Sequence, residues 1–557
     1  MQFRWNHTQG APDYDRETGF GFVTGAVYTA DAALHIPETN SGFLPLWWYA
    51  GTPIFDIRQS EYGRQATAAE ALRTEDAAGR RLPVWLRIQV PGEGVYRAEI
   101  TVTGTDGGEV LVFTGRRRLA WRGVLPAGAQ QIVTAYCDVF PIVPRGQADA
   151  VASDAVNIAV VGGALSAVAL AEAPHTRRIW VCGDSTVTDQ TGELPYAPGT
   201  SYAGWGQMLP AYLPEVCITN HAHSGLTTES FLSEGHWAIV KPRLRAGDIC
   251  LFQFGHSDQK LAHLQARGGY TDRLRTYIKE TRAAGAVPVL ITPLARNSWR
   301  DPTHYNDFLA DFADAVLDLG KEEAVPVLDL HAYAMQLIRQ EGLETAKRWF
   351  YPGDYTHTND FGAYRMAGFV AGALGKAVGL PVADSPAWTP APPFAPLTPP
   401  KDCALPAPDT DPFADYDATR PQEVLTRAEA LELAIKALKL FPINVYNDLY
   451  ADIVGHETYA GTVQCAAQND LIPAAWIADG RLYPQRTVTA ADFLAVLMPG
   501  AAGRRPLAAP SPLPDSVPAY ARFAAGQAVA EQLISADSLN DPITRSDAAA
   551  LCRRLHI

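Results

Sequence analysis

At 557 residues the chain exceeds the roughly 250–300 residues that one hydrophobic core serves, so it divides into domains. Its 47% apolar content is that of a globular protein. A formal net charge of -14 argues against nucleic acid and against an anionic membrane surface as partners.

Seven cysteines (137, 182, 217, 250, 403, 465 and 552) are scattered without a CxxC pair. Three lie in apolar strand-like runs, and the reading is free thiols acting as small buried hydrophobes in a reducing compartment. Residues 1–7 carry neither a basic start nor an apolar stretch of secretory type, and no apolar run reaches about 18 residues. The expectation is a cytoplasmic chain that does not span a membrane, with the cell surface as the alternative if a leader has been trimmed away.

Residues 1–172 are rich in turns, β-branched residues and aromatics. Apolar and polar residues alternate within 82–90 and 94–103, the turn signal of residues 105–108 follows, and 109–114 and 129–136 are further strand-like runs. Short strands separated by Gly and Asp turns predict an N-terminal β-sandwich of jelly-roll, carbohydrate-binding type. Trp47, Trp48 and Tyr49 are the candidate sugar-stacking residues, against a packing role in the core or between domains. No catalytic constellation appears in this stretch.

From 173 to 380 the pattern changes to strand–helix alternation. Apolar runs at 178–182, 216–220, 248–254, 286–292 and 324–330 enclose helical patterns at 274–283 and 305–317. This is an α/β domain with a parallel sheet, whose ligands bind at the carboxyl ends of the strands. Those ends carry the chemistry. The first closes on Gly183, Asp184 and Ser185. The second leads to His223, Ser224 and Gly225. The third leads to Gly255, His256, Ser257 and Asp258. A later loop holds Asp354 and His357. A serine hydroxyl needs a base to take its proton, and His357 is the candidate, with Asp354 on its other ring nitrogen. Backbone N–H groups of Ser185 and Gly225 and the side chain of Ser257 are the candidate oxyanion donors. Asp258 is expected to hold its loop in shape, and Asn359 to cap the helix that follows. Gln207, His223, His256, Gln259 and Lys260 are further polar residues close to these blocks. Gln207 and His256 are assigned to substrate binding together with Trp47 and Trp48, and Lys260 reads as a solvated surface lysine.

These blocks resemble the SGNH hydrolase family. Gly183-Asp184-Ser185-Thr186-Val187, the run from Tyr202 to Gln207, Phe254 to Asp258 and Asp354 to Asn359 are similar to its rhamnogalacturonan acetylesterase branch. The resemblance implies a flavodoxin-like fold, no metal and no cofactor, and removal of acetyl groups from a pectic poly- or oligosaccharide. It assigns Ser185 as nucleophile, Gly225 and residue 257 as oxyanion donors, and Asp354 and His357 as the rest of the triad. Ser257 departs from the family, which places asparagine there. The alternatives are an acetylesterase of xylan or mannan, and a catalytically weak glycan- or wall-binding protein.

Residues 381–421 are dense in proline and read as a linker or a strap over the surface. From 422 to 557 helical patterns return. Thr426, Thr489 and Thr544 each stand three residues before an acidic residue (Glu429, Asp492, Asp547) and open an Ala/Leu-rich stretch, as capping boxes do. The recurrence resembles S-layer homology repeats, with Ala490 standing where the other starts have Arg427 and Arg545. That resemblance implies an α-helical repeat domain whose partner is a cell-wall polymer or a second copy of the chain. The alternative is a helical module that packs on the esterase.

Overall fold

The computed structural model describes residues 2–23, 74–75, 81–143, 149–190, 192, 196–301, 304–390, 411–438, 440, 449–453, 457–503 and 505–555. Trp47, Trp48, Tyr49, Cys403 and residues 391–410 of the proline-rich segment lie outside them. The chain forms two compact units. The first holds Met1–Asp258, Gln265–Asn297 and Leu309–Leu397, and the second Gln259–Leu264, Ser298–Phe308 and Thr398–Ile557.

The first unit opens with β1 (Gln2–Asn6), β2 (Phe20–Phe22), the two-residue strands β3 (Thr74–Glu75) and β4 (Arg81–Leu82), β5 (Val84–Gln89), β6 (Gly94–Gly104), β7 (Glu109–Thr114), β8 (Arg118–Val124), β9 (Gln130–Val139), β10 (Ala155–Val161) and β11 (Gly163–Glu172). They build two antiparallel sheets, ordered β1-β11-β6-β9 and β2-β5-β10-β7-β8, with β3 and β4 paired separately. Strand β6 shows why. Ala98, Ile100 and Val102 are buried while Arg97, Glu99 and Thr101 between them are not, so one face is apolar. That face shares a core with Val133 and Leu165 of its own sheet and with Leu86, Ile88, Val112 and Ile158 of the other.

The strands then turn parallel. Strands β12 (Arg178–Gly183), β13 (Cys217–Asn220), β14 (Ile249–Gln253) and β15 (Val287–Ile291) enter one sheet with β18 (Val327–Leu328), in the order β13-β12-β14-β15-β18. Every pair in it is parallel. Ile179, Trp180, Val181 and Cys182 have no exposed surface, as expected of a strand covered on both faces. Around the sheet lie α1 (Ser230–Ser233), α2 (His236–Val240), α3 (Thr271–Ala283), α4 (Ala310–Glu322), α5 (Leu330–Ala346) and α6 (Asp360–Val378).

Two expected elements are shifted. The helix expected from residue 305 begins at Ala310. Tyr305 belongs to the short strand β17 (His304–Tyr305), which pairs with β16 (Trp299–Asp301) in the second unit, its ring edge-on to Trp299. The last expected strand, 324–330, shrinks to the two residues of β18. The Asp329 side chain accepts the Ala332 N–H and caps α5, so the chain becomes helical at Leu330. Residues 381–390 of the proline-rich segment lie as a strap. Ala383 N–H bonds to Tyr212 O, Pro386 O accepts from Tyr364 and Arg122, and Trp388 is buried against Phe361 and Tyr364.

The second unit carries α7 (Ala414–Ala418), α8 (Arg427–Ala437), α9 (Ala460–Gln468), α10 (Ala490–Ala502), α11 (Ala519–Ala530) and α12 (Arg545–Leu555). Thr426 and Thr489 form full capping boxes with Glu429 and Asp492, and Thr544 Oγ1 accepts from Asp547 N–H. The residues just before these caps close on one another. Leu425 N–H donates to Ile543 O, Ile543 N–H to Val488 O, and Val488 N–H to Leu425 O, a triangle of backbone bonds. Arg427 and Arg545 are buried, lying over the rings of Trp476 and Tyr416. Ala490 has no side chain to do the same. The six described cysteines are buried with free thiols. Among the described residues no helix is long and apolar enough to cross a membrane.

Candidate active site

Strand β12 lies between β13 and β14 in the sheet, so the loops leaving the carboxyl ends of all three stand side by side. Gly183 pairs with Gln253, and a Cβ at 183 would come within 2.5 Å of the Gln253 carbonyl. Only glycine lets the two strands run this close to their ends. His223 N–H then bonds back to Gly183 O, which ties the loop after β13 to the same point.

Along these loops the chain buries nearly everything and lifts out single residues. From Asp184 to Gln190, Ser185 is the one residue that is not buried. From His221 to Thr228 it is Gly225, and from Gln253 to Gln259 it is Ser257. Gly225 stands at φ +77°, a left-handed conformation open to glycine at little cost. The side chain of Ser185 meets the fourth loop. Its Oγ lies 2.7 Å from Nε2 of His357, and Nδ1 of His357 lies 2.7 Å from Oδ2 of Asp354. The other Asp354 oxygen accepts the backbone N–H groups of Thr356 and His357. Burial works against ionisation of Asp354, but His357 and these amides outweigh it and hold the carboxyl below the usual aspartate range. The structure thus brings together Ser185, His357 and Asp354 in an order that can take a proton from the serine, and stabilise the resulting imidazolium.

The loop of His357 is pinned on both sides. Tyr351 N–H bonds to His357 O, while Thr358 exchanges bonds with both backbone groups of Ala203. The Asn359 side chain accepts Gly362 N–H and caps α6, and its amide donates to Arg348 O and Phe350 O. Tyr202 stacks on Tyr351 at 3.6 Å and meets the His357 ring edge-on at 5.7 Å. The sequence reading missed this pair. Tyr202 opens one of the quoted blocks, but Tyr351 lies six residues before His357 in a loop with no periodic signal.

Below Ser185 runs a buried chain of hydrogen bonds. Trp205 Nε1 donates to Gln253 Oε1, Gln253 Nε2 to Thr186 Oγ1, and Thr186 Oγ1 to Asp184 Oδ1. Asp184 Oδ2 lies 3.1 Å from Nδ1 of His256, whose Nε2 lies 2.8 Å from Leu294 O. Burial would raise Asp184, but His256 and Thr186 hold it below the usual aspartate range. This corrects two expectations. His256, expected to touch substrate, is 3% exposed and braces the Ser185 loop from beneath. Gln207, also expected at the substrate, has no exposed surface. It accepts Gln190 N–H and donates to the carbonyls of Arg117 and Gln190. Among the other polar residues, His223 is buried with Nδ1 accepting Ser224 N–H, Gln259 is buried, and Lys260 is exposed.

Asp258 accepts from Thr228 N–H, Thr228 Oγ1 and Gly255 N–H, and so shapes the loop that presents Ser257. Burial pushes its carboxyl up to about 7, with Thr228 opposing and Asp184 adding to the rise. An unfolded aspartate ionises near about 3.9. Between these values the folded chain keeps a proton that the unfolded chain has lost. The contribution of Asp258 to stability is therefore fully present at acid pH and declines as pH rises towards and through 7. The Tm of the wild type minus that of Asp258→Asn is expected to fall between about pH 5 and about pH 8 by calorimetry. A difference that grows with pH would contradict the assignment.

Residues 181–365 match the GDSL-like Lipase/Acylhydrolase family. Over 222 residues the chain is 33% identical to rhamnogalacturonan acetylesterase RhgT of Bacillus subtilis (strain 168), which covers 37% of this chain and 93% of that relative. The chain belongs to the GDSL-like lipase/acylhydrolase family. A second relative from the same organism, named Probable rhamnogalacturonan acetylesterase YesY, is 33% identical over 216 residues, 37% of this chain and 96% of its own. A third, Uncharacterized esterase YxiM, also from that organism, is 26% identical over 368 residues, 64% of this chain and 82% of its own. As a member of the GDSL family the protein is an esterase of the serine hydrolase type, and the matched segment spans the loops of Ser185, Ser257 and His357.

Proposed function

We propose that the protein removes O-acetyl groups from a rhamnogalacturonan-type glycan through an acetyl-enzyme on Ser185. The observation that carries this reading is the pair of 2.7 Å contacts running from Ser185 through His357 to Asp354, with Ser185 lifted out of a buried loop. The names of two relatives that are 33% identical supply the substrate class.

In the first half-reaction Ser185 Oγ attacks the acetyl carbonyl carbon while Nε2 of His357 takes the hydroxyl proton. The C–O bond forms, the carbonyl π pair moves onto oxygen, and the imidazolium is held by Asp354. The intermediate then expels the sugar oxygen, which leaves as an alcohol with the proton from His357. In the second half water replaces the sugar, His357 takes its proton, and collapse releases acetate and restores Ser185. Backbone N–H groups of Ser185 and Gly225 and the hydroxyl of Ser257 are assigned to the oxyanion.

A serine at 257 is shorter than asparagine and its hydroxyl rotates, so it holds a donor less firmly at a fixed point. Losing one firm oxyanion donor costs about 2.7–4 kcal/mol, or about 10²–10³ in kcat. Ser257→Asn is therefore expected to preserve or raise kcat, with KM little changed, and a loss of tenfold or more would remove residue 257 from the oxyanion site. The substrate reading is tested by acetate release from acetylated rhamnogalacturonan oligosaccharides beside acetylated xylan and acetylated mannan. Preferred release from the first supports it, and preference for either of the others overturns the glycan assignment while leaving the chemistry.

A further inference from the structure

Between β7 and β8 the chain turns through Gly115, Arg116 and Arg117. Both Gly115 and Arg117 are left-handed, at φ +56° and +64°, and a non-glycine residue is rarely held so. The turn does not end in solvent. Arg117 has no exposed side-chain surface, and Arg116 and Arg118 are 11% and 6% exposed. Two buried guanidinium groups, of Arg117 and Arg118, and the half-buried one of Arg116 stand here opposite the carboxylates of Asp138, Asp189 and Asp360.

The three arginines divide the work. Arg116 and Arg118 anchor the turn itself. Both pair with Asp189, at 3.3 and 2.8 Å, Arg118 also reaches Asp138 and Ile218 O, and Arg116 reaches Asn220 O. Arg117 reaches further, to two points of the connection that follows β12 and to the first residue of α6. Nε donates to Gln190 O at 2.9 Å, Nη1 to Asp360 Oδ1 at 2.5 Å, and Nη2 to Tyr202 O.

Each of these partners stands next to a member of the triad. Gln190 Nε2 donates to Ser185 O at 3.2 Å and to Ser224 Oγ at 3.4 Å. Tyr202 packs edge-on against the His357 ring. Asp360 opens α6 three residues after His357, and it also accepts Tyr196 OH and Gly199 N–H at 3.0 Å each. One rigid, planar guanidinium group therefore braces the serine loop and the histidine loop at once. Arg117 lies outside the residues 181–365 that match the family, on the antiparallel sheet that precedes the hydrolase fold.

We propose that Arg117 is a positioning residue that sets the Ser185–His357 spacing from the adjoining β-sheet, so that this sheet is part of the esterase rather than an appendage to it. The inference rests on the acyl-transfer reading of Ser185. A displacement of about 1 Å between reacting groups costs up to about 10²-fold in rate. Arg117→Ala is expected to lower kcat for p-nitrophenyl acetate by about 10- to 100-fold with KM within about threefold, and to slow fluorophosphonate labelling of Ser185 in the same proportion. Added guanidinium at millimolar concentration restores part of the lost rate. Arg117→Lys keeps the charge and reaches fewer acceptors, so it falls between wild type and alanine, and it carries the test if the alanine variant does not fold. Arg122→Ala is the comparison. Arg122 ties β8 to Pro386 O and lies over Tyr364 and Trp388 without touching the catalytic loops, so its loss lowers Tm and leaves kcat unchanged. The positioning role is overturned if folded Arg117 variants keep kcat within twofold, or if Arg122→Ala loses kcat in the same proportion. Ser185→Ala separates the two claims. Full activity in that variant removes the acyl-transfer reading itself, whereas a dead Ser185→Ala beside silent Arg117 variants removes the positioning role alone.

Discussion

Ser185→Ala is expected to abolish ester hydrolysis, with kcat for p-nitrophenyl acetate falling by about 10⁶-fold. The size of the effect follows from how little else at the site can replace the hydroxyl. On the proposed mechanism, removing Oγ takes away the atom that would form the acetyl-enzyme and leaves Nε2 of His357, 2.7 Å from it, with no hydroxyl proton to accept. What remains is binding and oxyanion donation to a water attack, about 10³–10⁴ over the uncatalysed rate. The scaffold is not disturbed. The neighbours Asp184 and Thr186 are buried and bonded to each other, and neither bond involves the Ser185 side chain. Tm should therefore stay within about 1 °C of wild type, because the substitution leaves the buried hydrogen bonds beneath it intact. Acetate release and intact-mass detection of an acetylated wild-type enzyme under rapid quench check the same claim from two sides. A variant that still turns over at a tenth of the wild-type rate would show that Ser185 is not the nucleophile.

The strands around this serine were legible because each is a short apolar run that ends in glycine or polar residues, as at Ile249–Gln253 followed by Gly255. The antiparallel sheets were legible in part. Alternation in β6 is plain, yet β10 and β11 passed unseen. Strand β10 is apolar on both faces and loses the period of two, and β11 is built of alanines that dilute it. Of the candidate site, Ser185, Asp354 and His357, which the structure brings into contact, could be singled out because they stand beside element ends in a fixed order. The bracing residues could not. His256 and Gln207 carry polar groups that a sequence offers equally to a substrate or to a buried carbonyl. Their burial decides between these, and burial depends on what the neighbouring loops do. Arg117 is the sharper case. Three consecutive arginines after a strand look like a solvated turn, and their buried partners Asp138, Asp189 and Asp360 are 20 to 243 residues away in sequence. Triple basic runs beside a strand end, in a chain of net acidic charge, are the signal that was there to weigh.

Asp354→Asn is expected to cost about 10⁴ in kcat while leaving KM and the loop in place. The loop survives because Asn still offers a carbonyl oxygen where Oδ1 accepts the N–H groups of Thr356 and His357. The position of Oδ2 then falls to the amide nitrogen, which donates and cannot accept. His357 Nδ1, 2.7 Å away, must meet this donor with its lone pair, so the ring proton moves to Nε2. Nε2 then carries a hydrogen where it should accept the one on Ser185. The base is present, correctly placed, and in the wrong tautomer. On the proposed mechanism the same substitution removes the negative charge that would stabilise the imidazolium in both half-reactions, so acylation and deacylation are expected to slow together with no burst. At alkaline pH hydroxide can take over part of the proton transfer, and the deficit relative to wild type should shrink as pH rises above about 9, where Ser185→Ala shows no such recovery. Initial rates of both variants across that range distinguish a misdirected base from a missing nucleophile. If Asp354→Asn keeps more than a tenth of wild-type kcat, the carboxylate serves the loop through its backbone bonds, and His357 holds its tautomer by other means.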